Sequence, residues 1–140
     1  MAAQVVVVTG ASGGIGRAVA TAFGARGASV ALLARGEKGL AGAARDVEKA
    51  GGTAVVLPTD VADPDQVFAS VEKMESEVGP IDVWVNVAFT SVFSPFDKIT
   101  PDEYRRVTEV TYLGYVYATQ AVLPRSRAFI RGSTACVAYT

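Results

Sequence analysis

The sequence contains no histidine and a single cysteine, Cys136, among its 140 residues. The lack of histidine excludes every catalytic triad, metal site and proton switch that depends on an imidazole. One cysteine can form neither an internal disulfide nor a cysteine-cluster zinc site. We therefore expect no metal site, and the cysteine usage is compatible with a reducing compartment.

Net charge and long apolar runs are also lacking. Thirteen basic and fourteen acidic residues give a net charge of −1, whereas nucleic-acid-binding proteins normally carry a basic surplus. No stretch approaches the roughly 18 consecutive apolar residues of a membrane helix, and residues 1–8 lack the features of a signal peptide. Half of the residues are hydrophobic, which excludes an intrinsically disordered chain. We expect one cytoplasmic domain over residues 1–140 that binds neither nucleic acid nor membrane.

Short β-branched runs alternate with longer helical patterns along the chain. Buried strands are predicted at residues 5–9, 29–34, 53–57 and 81–87, and helices at residues 14–26, 37–50, 63–78 and 100–123. Such an alternation indicates right-handed βαβ crossovers, and therefore a parallel sheet with helices on both faces. The last stretch fits this pattern poorly: residues 129–130 are a candidate fifth strand, which Arg131 and Gly132 interrupt.

Two of the predicted helices begin with capping residues. Asp63 is suited to cap a helix whose first position is Pro64. Thr100 is followed three residues later by Glu103, which is the spacing of a capping box. The helix that begins there is predicted to continue to Leu123, just before a proline.

The loop after the first strand, residues 9–16, has the sequence Thr-Gly-Ala-Ser-Gly-Gly-Ile-Gly. Glycines allow the backbone to turn tightly and to approach a pyrophosphate closely. The helix that follows directs free N–H groups and the positive end of its dipole toward the phosphates. A dinucleotide-binding loop requires this context between a strand and a helix. A plain glycine-rich turn is the alternative.

The spacing Gly-x-x-x-Gly-x-Gly after a threonine resembles the signature of the short-chain dehydrogenase/reductase family, and the similarity extends over about residues 4–123. The resemblance implies an α/β fold: a Rossmann-like, doubly wound parallel sheet in three layers, incomplete relative to the full family domain. It also implies NAD or NADP as the cofactor and hydride transfer between carbonyl and alcohol. It places the cofactor loop at Gly10, Ser12, Gly14, Ile15 and Gly16.

The end of the second predicted strand bears on the choice of cofactor. An acidic residue there would bind the ribose hydroxyls of NAD, whereas an arginine accommodates the 2′-phosphate of NADP. This chain has Arg35, with no acidic residue before Glu37. We therefore predict a preference for NADP with Arg35 on the 2′-phosphate, and a solvated loop charge is the alternative. A second basic residue, often found in the glycine loop of NADP-type relatives, is replaced by Gly13.

Two later loops also resemble the family pattern. Asp60 and Val61 match its contact to the adenine ring, although Asp60 could equally cap the approach to the next helix. Asn86 and Ala88 match part of the family's Asn-Asn-Ala-Gly, so both are assigned to the cofactor site, and Asn86 is expected to join neighbouring strands. Phe89 stands where the family has glycine. We expect the loop to sit differently or to bind the cofactor more weakly.

The catalytic residues of the family are an asparagine in the long helix, a serine after the fifth strand and a Tyr-x-x-x-Lys pair. No Tyr-x-x-x-Lys occurs in the 140 residues. Thr111 takes the place of the asparagine. Ser133 is the best match for the catalytic serine, with an ordinary loop serine as the alternative.

The resemblance, together with Arg35, therefore implies an NADP-dependent oxidoreductase of carbonyl or alcohol substrates that binds its cofactor but is catalytically impaired. Loss of a proton-transfer group typically costs about 10²–10⁴-fold in rate. The chain resembles a family member truncated before its catalytic helix. One alternative is a non-catalytic nucleotide-binding or interaction module whose helix at residues 100–123 packs on a partner, such as a second copy in a homo-oligomer. Another is an unstable fragment with an uncovered sheet edge.

Overall fold

A parallel β-sheet organises the protein, for which the computed structural model describes residues 3–125 and 137–139. Within those ranges the strands are β1 (Val5–Thr9), β2 (Ser29–Ala34), β3 (Thr53–Pro58), β4 (Val83–Asn86) and β5 (Val137–Tyr139). Their order in the sheet is β3-β2-β1-β4-β5. The chain moves outward from β1 to β3 and then crosses back to β4. The strand order thus reverses between β1 and β4, at the point where open α/β sheets bind ligands.

Helices cover both faces of this sheet. Helices α1 (Gly14–Gly24) and α2 (Glu37–Ala50) pack on one face, and α3 (Pro64–Glu77) and α5 (Gly114–Val122) on the other. A further helix, α4 (Pro101–Thr108), leads into α5 through the turn Glu109–Leu113. The predicted three-layer, Rossmann-like fold is confirmed.

The valine run of β1 shows why its sequence is continuously apolar. Val5 and Val7 belong to the core cluster beneath α3 and α5, whereas Val6 and Val8 belong to the cluster beneath α1 and α2. Successive side chains of a strand point to opposite faces of the sheet. Because both faces are covered, every position of β1 is buried.

The helical run after Thr100 differs from its prediction. The capping box is present, because the Glu103 amide donates to Thr100 Oγ1 at 3.3 Å and the Thr100 amide donates to Glu103 Oε2 at 2.8 Å. The run is not one continuous α-helix, however, because Glu109–Leu113 form a π-helical turn. Within that turn the Thr111 hydroxyl bonds to the backbone of Thr90. This contact joins residues far apart in sequence, so a local pattern could not reveal it.

Other element boundaries shift by a few residues. Helix α1 ends at Gly24 rather than at residue 26, and β4 is shorter than the predicted strand at residues 81–87. Asp82, before β4, accepts a hydrogen bond from the Val5 amide at 2.9 Å. The candidate strand at residues 129–130 lies outside the described residues. No helix in the described part of the chain is long and apolar enough to span a membrane.

Candidate functional site

A cavity of about 670 Å³ opens at the carboxyl ends of β1 and β4. Its size falls within the range of small-molecule sites, about 300–1,000 Å³. Most of the residues predicted to bind a cofactor lie in its wall, namely Gly10, Ser12, Gly14, Ile15, Gly16, Arg35, Asp60, Val61 and Ala88. Four loops thus meet where the sheet topology places a ligand site.

Two glycines of the first loop are required by close backbone contacts. Gly10 has a φ of +67°, and a Cβ there would lie 3.0 Å from the backbone of Ala88. A Cβ on Gly16 would collide with the carbonyl oxygen of Gly10. Any larger side chain at either position would therefore push α1 or the loop after β4 away from β1.

Gly13, in contrast, is not required by any packing contact. Its φ of −167° is open to every residue, and a Cβ there would meet no atom within 4 Å. Gly13 is the N-cap of α1, so it provides no side-chain cap, and the first turn holds no acidic residue. The free N–H groups and positive dipole end of α1 are left without a compensating side chain at the cavity wall. This open cradle fits the phosphates of a dinucleotide.

Thr9 holds the loop after β4 against the glycine loop. Its Oγ1 accepts hydrogen bonds from the amides of Val87 at 3.0 Å and Ala88 at 3.1 Å, and its side chain is buried. The sequence motifs place this threonine before the glycine loop but predict no role for it. A hydroxyl at the buried end of a strand, directly before a glycine loop, is the signal that could have identified it.

The residues around Ala88 take different positions relative to the cavity. Asn86 is buried and is not in the cavity wall, and its Oδ1 accepts from Trp84 Nε1 at 2.9 Å within β4 itself. Phe89 lines the cavity, yet 68% of its surface is exposed. The expectation that Phe89 displaces the loop or weakens cofactor binding therefore stays a prediction.

Arg35 follows directly after β2 and lines the cavity as an exposed side chain. It forms no ion pair with any residue in 3–125 or 137–139. Arg17, by comparison, is bound to Asp46 at 2.7 Å between α1 and α2. Arg35 is therefore a free guanidinium at the edge of the site, in reach of an anionic ligand group.

Asp60 lies in the cavity wall and is not the N-cap of α3. The cap of α3 is Asp63, whose carboxylate accepts from the amides of Asp65 and Gln66. Asp60 Oδ1 accepts from the Ala62 amide at 3.0 Å in the approach to α3, and the same carboxylate forms an ion pair with Arg106 of α4, with an N–O distance of 2.9 Å. Arg106 also lines the cavity and was missed by the sequence analysis. Its position one helical turn before Val110, another wall residue, is the spacing that could have indicated it.

Of the two residues predicted for catalysis, the structure describes only Thr111. The Thr111 hydroxyl donates to the carbonyl of Thr90 at 3.0 Å and accepts from its amide at 3.2 Å. Thr111 lines a separate apolar groove with Tyr112 and Tyr115, and burial raises the pKa of Tyr115. Ser133 lies outside the described residues.

Comparisons with known proteins agree with this geometry. A sequence profile described as short chain dehydrogenase matches residues 4–137. The 3-dehydrosphinganine reductase of Danio rerio is 38% identical over 123 residues, which cover 84% of this chain and 37% of that protein. The 3beta-hydroxysteroid dehydrogenase 1 of Eggerthella lenta is 38% identical over 112 residues, which cover 79% of this chain and 43% of that protein.

A solved structure extends the comparison to the fold. The L-sorbose reductase of Gluconobacter frateurii, in complex with NADPH and L-sorbose, matches with a TM-score of 0.80 and 33% identity. The match covers 88% of this chain and 47% of that one. The chain thus spans less than half the length of these three relatives. On the profile match, the parallel sheet and the glycine loop at its switch point, the chain belongs to the short-chain dehydrogenase family.

Proposed function

We propose that these 140 residues bind NADP(H) as part of an oxidoreductase that acts on carbonyl or alcohol substrates. The observation that carries this proposal is the cavity at the β1–β4 switch point. It joins an N-terminus of α1 that lacks a side-chain cap to the free guanidinium of Arg35. An anion-binding helix end and a cation at the end of β2 are the two features that an NADP site needs.

In this proposal, different residues of the cavity wall bind different parts of the dinucleotide. The backbone N–H groups at residues 14–16 hold the pyrophosphate, and Arg35 binds the 2′-phosphate. Asp60 and Val61 contact the adenine ring, and Ala88 borders the ribose from the same cavity wall. When bound, the nicotinamide supplies the hydride chemistry.

Titration of the purified protein with NADPH and with NADH tests this function. We expect saturable binding by calorimetry and by cofactor fluorescence, with a lower Kd for NADPH. Arg35→Ala should weaken NADPH binding by about 10–100-fold, because it removes a charged hydrogen bond, and should leave NADH binding unchanged. Arg26→Ala is the matched control, since Arg26 is exposed near the end of α1 and outside the cavity wall. A folded, monodisperse protein that binds neither cofactor would refute the proposal.

We further propose that these residues bind the cofactor without efficient turnover. The 140 residues contain no Tyr-x-x-x-Lys, and where the family has an asparagine amide this chain has the Thr111 hydroxyl, which bonds to the backbone of Thr90. NADPH oxidation in the presence of a panel of ketones and aldehydes should stay at the background rate. Sustained substrate-dependent oxidation by the purified protein would contradict this part of the proposal.

A non-catalytic interaction module is the second candidate, and the face of the α4–α5 run supports it. An apolar groove there is lined by Tyr112, Tyr115, Val116 and neighbouring residues, and 65% of Tyr112 is exposed. A second copy of this chain in the cytoplasm is the partner that we propose. Light scattering should then show a dimer that Tyr112→Lys converts to a monomer. A monomer at high concentration would count against this candidate.

A further inference from the structure

Arg106 and Asp60 form an ion pair across the cavity wall that the proposed function does not yet explain. Arg106 Nη2 lies 3.1 Å from Asp60 Oδ1 and 2.9 Å from Oδ2. The pair is partly buried, with 35% of the Arg106 side chain and 28% of the Asp60 side chain exposed. It joins the loop after β3 to α4, across 46 residues of sequence.

The neighbouring residue Arg105 shows what an ordinary surface pair looks like on the same helix. Arg105 Nη1 lies 2.8 Å from Asp102 Oδ1, three residues away, and both side chains are largely exposed. Neither residue lines the cavity. Such local, solvated pairs contribute little to stability or position. The Arg106 pair differs in its burial, in its long range and in its place in the wall of the site.

The carboxylate of Asp60 is held in one orientation by two separate donors. Its Oδ1 accepts from the Ala62 amide at 3.0 Å, and Arg106 spans both oxygens. A carboxylate has about four acceptor positions. Oδ1 accepts two hydrogen bonds and Oδ2 accepts one, so one acceptor position remains on Oδ2. Because Asp60 lines the cavity, a bound ligand can supply the donor for that position.

We infer that Arg106 is a positioning residue for purine specificity: it fixes Asp60 so that its carboxylate accepts the 6-amino group of adenine and rejects a purine with a 6-carbonyl. This inference rests on the proposed cofactor function. Adenine presents its 6-amino group as a donor, which complements a carboxylate acceptor. A 6-carbonyl would place an acceptor against the same carboxylate, so the contact would be repulsive.

Reduced nicotinamide hypoxanthine dinucleotide phosphate is the probe that isolates this contact. It differs from NADPH in carrying a carbonyl in place of the 6-amino group, and its phosphates and nicotinamide are unchanged. The measured quantity is the ratio of the two Kd values. We expect the unmodified protein to favour NADPH about tenfold or more, as for a hydrogen bond to a charged group.

Two substitutions at Arg106 test its positioning role. Arg106→Met keeps the aliphatic stem and removes the donors, so the Kd ratio should fall to about threefold or less. Arg106→Lys restores the charge but not the planar group, so its ratio should lie between the two. A purely structural role would change both Kd values together and leave their ratio constant. Arg105→Met is the matched control and should keep the ratio of the unmodified protein.

The possible results distinguish a failure of this inference from a failure of the proposed cofactor binding. If the folded protein binds neither dinucleotide, the cofactor function and this inference fall together. If NADPH binds but the hypoxanthine analogue binds equally well, only the inference fails. An unchanged ratio in Arg106→Met, or in Arg106→Lys if the methionine variant does not fold, also overturns it.

Discussion

Helices α1 and α3 begin in opposite ways, although both follow a strand of the same parallel sheet. At α3 the carboxylate of Asp63 accepts from the amides of Asp65 at 3.0 Å and Gln66 at 3.3 Å. At α1 the N-cap is Gly13, which offers no side-chain acceptor. Every helix start leaves backbone N–H groups without partners inside the helix. Helix α3 satisfies two of them with the Asp63 carboxylate, whereas α1 leaves them free at the cavity wall.

This difference separates structural helix ends from binding ones. A capped end contributes to stability and has no remaining attraction for an anion. An end without a cap gives up that contribution but can bind a phosphate with its amides and its dipole. Only α1 of these two lines the cavity with its first turn. Substitutions that make one helix start resemble the other therefore test the assignment of the site.

The largest effect is expected from Gly13→Asp, which gives α1 the N-cap of α3. The new carboxylate would bind the free amides and repel the phosphates at close range, so NADPH affinity should fall by about 100-fold or more. The melting temperature should rise slightly. Calorimetric titration and thermal unfolding measure both quantities.

Gly13→Asn is the control for that substitution, because asparagine also caps helices but carries no charge. Its loss of affinity should be smaller than that of Gly13→Asp. The reciprocal change, Asp63→Gly, should lower the melting temperature and leave NADPH binding intact. Equal loss of binding in Gly13→Asp and Asp63→Gly would show that helix stability, rather than the anion site, governs binding.

Gly13→Arg is expected to have the opposite effect on NADPH affinity. The space around Gly13 accepts a Cβ without contact, and its backbone is open to any residue. A guanidinium there would join Arg35 at the 2′-phosphate, so NADPH affinity should rise by about tenfold. NADH affinity should change little, and Gly13→Gln provides the uncharged control of similar length. An equal gain for both cofactors would place the new charge at the pyrophosphate instead.

The local features of the fold were predictable because their signals are local. The valine run of β1, the Asp63–Pro64 start and the Thr100–Glu103 capping box each depend on neighbours within a few residues. The glycine loop was predictable for the same reason. The strand before it and the helix after it both lie within residues 5–24.

The contacts that complete the site could not be predicted in this way. Asp60 meets Arg106 across 46 residues, and Thr111 meets Thr90 across 21 residues. Both contacts depend on how the β4 loop and the α4–α5 run fold back over the sheet. Phe89 lines the same cavity with 68% of its surface exposed, and its predicted effect on the loop or on cofactor binding stays a prediction.

A smaller effect is expected at the capped start of α4. Thr100→Ala removes the hydroxyl that accepts from the Glu103 amide, so the free energy of unfolding should fall by about 1 kcal/mol. NADPH affinity should stay unchanged, because Thr100 lies outside the cavity wall. Thr100→Ser keeps the hydroxyl and should retain most of the stability. Urea unfolding monitored by circular dichroism provides the measurement.

The smallest effect is a dependence of stability on pH at the two capped helices. Hydrogen bonds from the side chain and backbone of Gln66 lower the pKa of Asp63 from its ordinary 3.8, and bonds from Thr100 lower the pKa of Glu103 from 4.5. The folded state therefore releases these protons more readily than the unfolded chain. This contribution is complete above the unfolded pKa values and is lost as the pH falls through and below them.

Thermal unfolding at about pH 6 and about pH 3.5 should show this loss, and Asp63→Asn and Glu103→Gln should each reduce it. Gln66→Leu at α3 should act in the same direction, because it removes the largest contribution to the lowered pKa of Asp63. The start of α1 has no acidic residue in its first turn, so it contributes nothing to this titration. An identical pH dependence in all variants would mean that other carboxylates determine acid stability. If the variants do reduce it, the capped ends lose their stabilisation in acid while the open end of α1 keeps its free amides.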